Sequence, residues 1–376
     1  MRKEVKNKLR KIADIWSHYI WEYDICRRKV KFDSALKTNY LGDIIGYFQD
    51  TFDIIYSDRK SSNYADRFSN QISLLQSIYI QQDFIEEMLR IFRCGVQKGD
   101  LKKDPNYFKN RNLRNELVGH PVRRINGEFI SSALFGYNGD SSKIVYLRYH
   151  KDNNFEFENK EFQISHIVEE HTNFLNNYFQ IILDRLQSIL MDFVKETENI
   201  ERCIKSQSLE RLLDICELKF ESILKYDYCY DKDSLLKINS KKEEHPRYKN
   251  FIESFYLDLE TSLKETKDSI LNYFKVDSNE NLKKVPNEMP IFTIQFDNNL
   301  KVEKVKSNDV SYHYELGKIA TKRNLQDFEF YSGFLKIKCK DMPIILNELN
   351  HMKENIYDPK EYYCSFRLIS KILREE

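Results

Sequence analysis

The sequence predicts a mainly α-helical protein, with a three-stranded β-meander inserted among the helices and a smaller α+β unit at the C-terminal end. Three observations carry this. Only ten glycines and seven prolines fall among 376 residues, so helix breakers are scarce. Apolar residues recur at helical spacing through most of residues 3–275. Between residues 126 and 163 that spacing gives way to alternation, punctuated by Asn-Gly and Asp-Asn-Asn clusters.

Residues 3–31 form the first candidate helix, with Leu9, Ile12, Trp16, Ile20 and Tyr23 near one face. Residues 40–57 form a second. A third runs from Ala65 to Phe92 on the stripe Phe68, Ile72, Leu75, Tyr79, Ile85 and Leu89, and stops at Gly95 after Arg93. A polar loop through Asp104-Pro105 leads to a short polar helix over 106–118. Glu128–Tyr137, Lys143–His150 and Phe155–Gln163 then read as three strands, turned at Asn126-Gly127, Asn138-Gly139-Asp140 and Asp152-Asn153-Asn154. Residues 164–200 carry the most sustained helical stripe, from Ile164 to Phe193. Helices over 206–227 and 247–275 follow, separated by the charged loop Lys241-Lys242-Glu243-Glu244.

The segment Asp277–Pro290 is polar and marks a domain boundary near 280. Beyond it, Ile291–Phe296 and Leu300–Val305 flank Asp297-Asn298-Asn299 as a hairpin. Gly333–Cys339 reads as a strand, Met342–Met352 as a helix and the last twelve residues as another. The organisation expected is a helical domain over 1–205 with the meander at about 128–163, a helical connector over 206–280, and an α+β unit over 281–376.

Composition narrows the function classes. With 41% apolar and 32% charged residues the chain is a folded globular protein, long enough to need no disulfide or metal staple. The net charge of +1 is unevenly spread: residues 100–151 hold ten Lys/Arg against five Asp/Glu, and residues 152–200 hold three against ten. A basic segment of that kind suits a polyanion. Seven cysteines without a C-x-x-C pair point to reduced thiols in a cytoplasm. No 18-residue apolar run occurs, so no membrane span is expected. Neither a P-loop, a dinucleotide-binding glycine motif nor a nucleophile elbow is present, and no cofactor or metal is expected. His166 and His171 stand five apart, whereas a zinc pair on a helix needs four, so His171 reads as a packed residue on the apolar stripe. His150 reads as a strand-end residue.

The stretch Asn110–Pro121 is where chemistry concentrates. On a helix, Leu113 and Leu117 share the core-facing side, and Arg114, Arg111 and Asn115 lie about 100°, 160° and 200° round from Leu113. These three polar side chains therefore turn away from the core. Gly119 suits a left-handed helix stop and Pro121 forbids continuation, which leaves His120 on a reversal where its ring can be aimed back at the polar face. Arg123 and Arg124 follow closely. With 20 arginines and eight histidines, the Arg–His spacing alone carries little weight.

Arg114-Asn115-Glu116-Leu117-Val118-Gly119-His120 resembles the Arg-polar-(x)n-His signature of HEPN-superfamily ribonucleases, with five residues between Arg and His. The likeness covers roughly residues 1–200. It implies an all-α bundle, a homodimer whose two motifs build one site, and metal-independent cleavage of an RNA substrate that leaves a 2′,3′-cyclic phosphate. Arg114 would stabilise the phosphoryl charge, His120 transfer protons and Asn115 orient, with Arg111, Arg123 and Arg124 as RNA contacts. The likeness further implies a bacterial toxin or antiphage effector with an antitoxin or regulatory partner. Two alternatives stay open: a non-catalytic HEPN-like module that binds RNA, a nucleotide or a protein partner, and a plain helix stop at Gly119-His120-Pro121.

Overall fold

The computed structural model describes residues 2–31, 39–57, 63–97, 99–135, 140–225, 230–275, 312–321 and 324–375. They are mainly helical with one small antiparallel sheet. Two compact units are formed, Met1–Asp192 and Phe193–Glu376, which part inside a long helix.

In the first unit, α1 (Arg2–Ile15) buries Val5, Leu9, Ile12 and Ile15 at the expected spacing. Its last turn then widens into a π turn over Trp16–Ile20, closed by the Trp21 N–H on the Trp16 carbonyl at 2.8 Å. The chain breaks before α2 (Asp24–Arg27), so the single helix expected over 3–31 is two. Trp16 and Ile20, four residues apart, both face the interior, where each is no more than 1% exposed. α3 (Tyr40–Tyr56) and α4 (Tyr64–Ile91) are capped by Asn39 and Asn63, whose side chains accept from Gly42 N–H and Ala65 N–H. α4 ends through two left-handed residues, Arg93 (φ 54°) and Gly95 (φ 76°).

α5 (Pro105–Arg114) begins with Asp104 as cap and Pro105 at the first helical position. Two buried amides pin it from either side. Gln82 Nε2 on α4 donates to the Tyr107 carbonyl at 3.1 Å, and Asn110 Nδ2 donates at 3.0 Å to the Ile167 carbonyl of α6 (Ile164–Ser206). Each bond gives a buried side-chain amide an acceptor, on a carbonyl that lies inside a helix.

Between α5 and α6 lies a four-stranded antiparallel sheet in the order β1 (Val122–Ile125), β2 (Glu128–Phe135), β3 (Lys143–Tyr149), β4 (Phe157–Gln163). The three-stranded expectation therefore falls short by β1. That strand has four residues and is turned back onto β2 by Asn126 (φ 51°) and Gly127 (φ 85°), the pair of left-handed residues a two-residue hairpin turn demands. One face of the sheet lies on the bundle. Ile144 and Tyr146 of β3 join Leu74, Leu75, Ile78, Leu113, Leu117 and Ile167 in one buried cluster, so the sheet and the end of α5 share a core.

The second unit contains α7 (Leu209–Lys225), α8 (Lys232–Ser240), α9 (Pro246–Lys275), α10 (His313–Thr321), α11 (Leu325–Lys338), α12 (Pro343–Glu354) and α13 (Pro359–Glu375). Gly333–Cys339, expected as a strand, is helical. Phe328, Ser332, Leu335 and Cys339 are all buried, a spacing of four, three and four that only a helix can satisfy. Asn324 caps that helix by accepting from the Asp327 N–H at 2.8 Å. The expected hairpin at 291–305 and the boundary segment 277–290 lie outside the described residues. α9, α12 and α13 are tied by Arg247, whose guanidinium meets both oxygens of Glu348 at 3.1 and 2.7 Å and also donates to Ser365 Oγ.

Among the described residues, no helix is long and apolar enough to cross a membrane. Burial raises the Cys26, Cys216 and Cys364 thiols to about 12, which keeps them protonated and poorly nucleophilic.

Candidate active site at the end of α5

α5 does not stop at a left-handed glycine. Its hydrogen bonding widens to a π turn over Asn115–Gly119, closed by the His120 N–H on the Asn115 carbonyl at 2.7 Å. Gly119 is not among the residues of positive φ, which corrects its expected role as a left-handed stop. The reason for glycine is space. In the wider turn, residue 119 sits one turn on from residue 114. A Cβ on Gly119 would lie 2.8 Å from Arg114 Nη1 and 3.6 Å from Asn115 Oδ1. The arginine folds over the bare backbone.

Arg114 is held from three directions. Nε and Nη2 both donate to Gln76 Oε1, at 3.0 and 2.9 Å, and Nη1 donates to Asn115 Oδ1 at 3.1 Å. The Arg114 guanidinium carbon also lies 4.0 Å from the centroid of the Tyr79 ring. Arg111, one turn back, lies 4.0 Å from the same ring and ion-pairs with Asp83 Oδ1 at 2.7 Å. Gln76, Tyr79 and Asp83 stand at i, i+3 and i+7 on α4, so one helical face positions both arginines. The polar face of α5 thus leans on α4 rather than pointing freely outward. Leu113 and Leu117, by contrast, are 5% and 8% exposed and face the core as the helical spacing requires.

His120 is exposed and has extended φ (−142°). Among the described residues its imidazole makes no hydrogen bond or ion pair, while its backbone is fixed at both ends. Arg123 Nη1 donates to the His120 carbonyl at 3.1 Å, and the Ser132 N–H donates to the Pro121 carbonyl at 2.7 Å. Arg123 also approaches Glu116 Oε2 at 3.7 Å. Arg124 is exposed and ranges over the Phe129 ring at 5.8 Å. The structure therefore sets Arg114 and Asn115 in contact at the helix end that leads into His120, rests Arg111 on Tyr79 and Asp83 of α4, and uses Arg123 to brace the His120 backbone.

Glu116, which sequence reasoning passed over, is the hub that fastens this turn to the sheet. It accepts from Ser132 Oγ at 2.8 Å and meets Arg148 Nε at 3.2 Å beside Arg123. Its side chain is only 16% exposed. Removing it leaves two arginines facing each other without a counter-charge. Glu116→Ala is expected to lower the unfolding free energy by about 2 kcal/mol in urea titration, while Glu116→Gln retains the Ser132 bond and loses less.

The two other histidines of note lie elsewhere. His150 is 7% exposed, with Nδ1 at 2.9 Å from Asp152 Oδ2 and Nε2 at 3.5 Å from Glu128 Oε2. His171 is fully buried, and its Nε2 meets Gln81 Oε1 at 2.8 Å.

No protein-family model matches this chain, and neither does any curated protein or solved structure.

Proposed function

We propose that this chain is a metal-independent endoribonuclease, with an N-terminal bundle of HEPN type and an active site completed by a second copy of the chain. The observation that carries the reading is the state of Arg114, held on the turn that leads into an exposed His120 whose imidazole makes no hydrogen bond or ion pair among the described residues. A guanidinium has five N–H groups. Arg114 spends three of them, two on Gln76 and one on Asn115, which leaves two directed by a fixed fork. Glycine at 119 keeps that fork against the backbone of the turn from which His120 emerges.

In the proposed reaction the ribose 2′-oxygen attacks phosphorus and the bond to the 5′-oxygen breaks. One His120 takes the 2′-hydroxyl proton and His120 of the second copy gives a proton to the departing 5′-oxygen. Arg114 stabilises charge on the non-bridging oxygens in the transition state. The products are a 2′,3′-cyclic phosphate and a 5′-hydroxyl. A toxin or antiphage effector restrained by an antitoxin or regulatory partner is the biological role we attach to such an enzyme.

The test is incubation of the full chain with mixed RNA in excess EDTA, followed by end-group analysis. Wild type should yield cyclic phosphate ends, and His120→Ala and Arg114→Ala should each lose about 10²–10⁴-fold in rate. Cleavage that persists in both variants would move the active site elsewhere. Binding of RNA without cleavage in the presence of any candidate partner would favour the non-catalytic module instead.

A further inference from the structure

Strand alternation gives the sheet two unlike faces. Glu128, Ser132, Tyr146, Arg148 and Glu158 share the face turned to the bundle, as their pairing across the strands requires. The opposite face aligns Arg124 with Phe129, and Ser131 with Tyr149 and Phe157. There the rings form a cluster. Tyr149 lies 6.1 Å from Phe129, 6.0 Å from Phe155 and 5.5 Å from Phe157, centroid to centroid. Phe155 and Phe157 remain 57% and 63% exposed, so burial does not explain them.

Phe155 adds a second, independent observation. Its φ is 59°, in the left-handed region that bulky L side chains avoid. A turn needing that backbone would be better served by Asn or Gly, as the preceding left-handed Asn154 illustrates. Strain retained to hold an exposed ring over Tyr149 marks a ligand-contacting position, since the ring recovers little by burial. The charge on this face narrows the ligand. Its strand positions carry Arg124 and Lys143 against one carboxylate, Glu161, and Lys143 already meets that carboxylate at 3.3 Å. Arg124 makes no ion pair among the described residues. The strand positions of this face are thus aromatic, with one cation, Arg124, in no ion pair among the described residues, and Val122 lies only two residues beyond His120.

We infer that this outer face is a stacking platform for single-stranded RNA. Bases lie on Phe155, Phe157 and Phe129, Arg124 takes a phosphate, and the strand continues along β1 to His120. The inference rests on the ribonuclease reading for its choice of RNA, and it extends that reading by naming how the substrate is held. Unpaired bases are required, because only they offer their flat faces to rings.

The experiment measures binding of the full chain to a fluorescent 2′-O-methyl single-stranded oligonucleotide, which cannot be cleaved by 2′-oxygen attack, alongside its duplex form. Wild type should prefer the single strand. Phe155→Asn and Phe157→Ser should each weaken binding about tenfold. Phe155→Asn should melt no lower than wild type, because asparagine tolerates the left-handed backbone; a merely structural ring would lower the melting temperature instead. Undiminished binding in both variants overturns the platform, as does failure of wild type to bind. A shift from dimer to monomer in the variants, with RNA affinity unchanged, overturns it too and makes the face a protein contact. The two readings fail separately. If His120→Ala abolishes cleavage while the ring variants bind and cut normally, the nuclease stands and the platform falls. If no cleavage is found but the ring variants lose binding, the platform stands alone.

Discussion

Replacing Gly119 with alanine is expected to leave the protein folded and, under the proposed ribonuclease mechanism, to cut the cleavage rate by roughly a hundredfold, the scale on which a misplaced catalytic group is felt. The added methyl would stand 2.8 Å from Arg114 Nη1, and the nearest atoms belong to the end of a flexible side chain rather than to backbone. The arginine therefore yields, giving up its bonds to Gln76 and Asn115 and its place on Tyr79. The helix itself gains, because alanine is favoured over glycine there by about 0.5–1 kcal/mol. That gain offsets only part of the lost contacts of Arg114, each hydrogen bond being worth about 1 kcal/mol net at a half-exposed site, so the variant melts somewhat lower yet stays folded. A rate lost far beyond so small a change in stability separates a positioning role for Gly119 from a structural one. Arg114→Lys in the same assay should behave alike, since an ammonium cannot hold Gln76 through two parallel donors. If Gly119→Ala cleaves at the wild-type rate, the fork held by Gln76 and Asn115 is not the geometry the reaction uses.

The contrast between Leu113 and Gly119 shows what a sequence can disclose about such a site. Leu113 and Leu117 were legible because burial follows from angular position alone, and both meet the core cluster formed by α3, α4, the sheet and α6. The direction of Arg111 and Arg114 followed from the same wheel, but their resting place did not. A long side chain set 100–160° from the core can reach a neighbouring helix, and only the packing of α4 against α5 brings Gln76, Tyr79 and Asp83 under the arginines. Tyr79 read as part of an apolar stripe, which it also is. Gly119 was misread because a glycine at a helix end is most often explained by φ, whereas here the widened turn leaves no room for a Cβ. β1 escaped because Val122-Arg123-Arg124-Ile125 is too short to show alternation. In α11 the error ran the other way. Leu335-Lys336-Ile337-Lys338-Cys339 alternates over five residues by accident, and Ile337 is 73% exposed. The cap at Asn324 and Asp327 was the available sign of a helix start.

Acid should loosen the first unit through His171. Its ring is fully buried, and burial lowers its pKa from the ordinary 6.5 to about 3. The hydrogen bonds around it define the tautomer. Gln81 Nε2 donates to Thr51 Oγ1 at 2.9 Å and to the Phe48 carbonyl at 3.2 Å, so Gln81 Oε1 must accept from His171 Nε2–H. Nδ1 is then an unprotonated, buried nitrogen without a hydrogen-bond partner. A proton arriving there would find no acceptor. Between pH 6.5 and 3 the unfolded chain binds this proton and the folded chain refuses it, so stability falls as pH falls through that window and is unaffected by His171 above it. Each pH unit costs at most about 1.4 kcal/mol, or about 2 kcal/mol at pH 5. Urea unfolding at pH 7 and pH 5 reads this directly when wild type is compared with His171→Gln, whose amide can still donate to Gln81 and does not titrate. The variant should lose about 2 kcal/mol less than wild type between the two pH values; equal losses would show that His171 accepts its proton in the folded state. His171→Ala, which leaves both a cavity and an unpaired Gln81 carbonyl, should cost about 3 kcal/mol at pH 7.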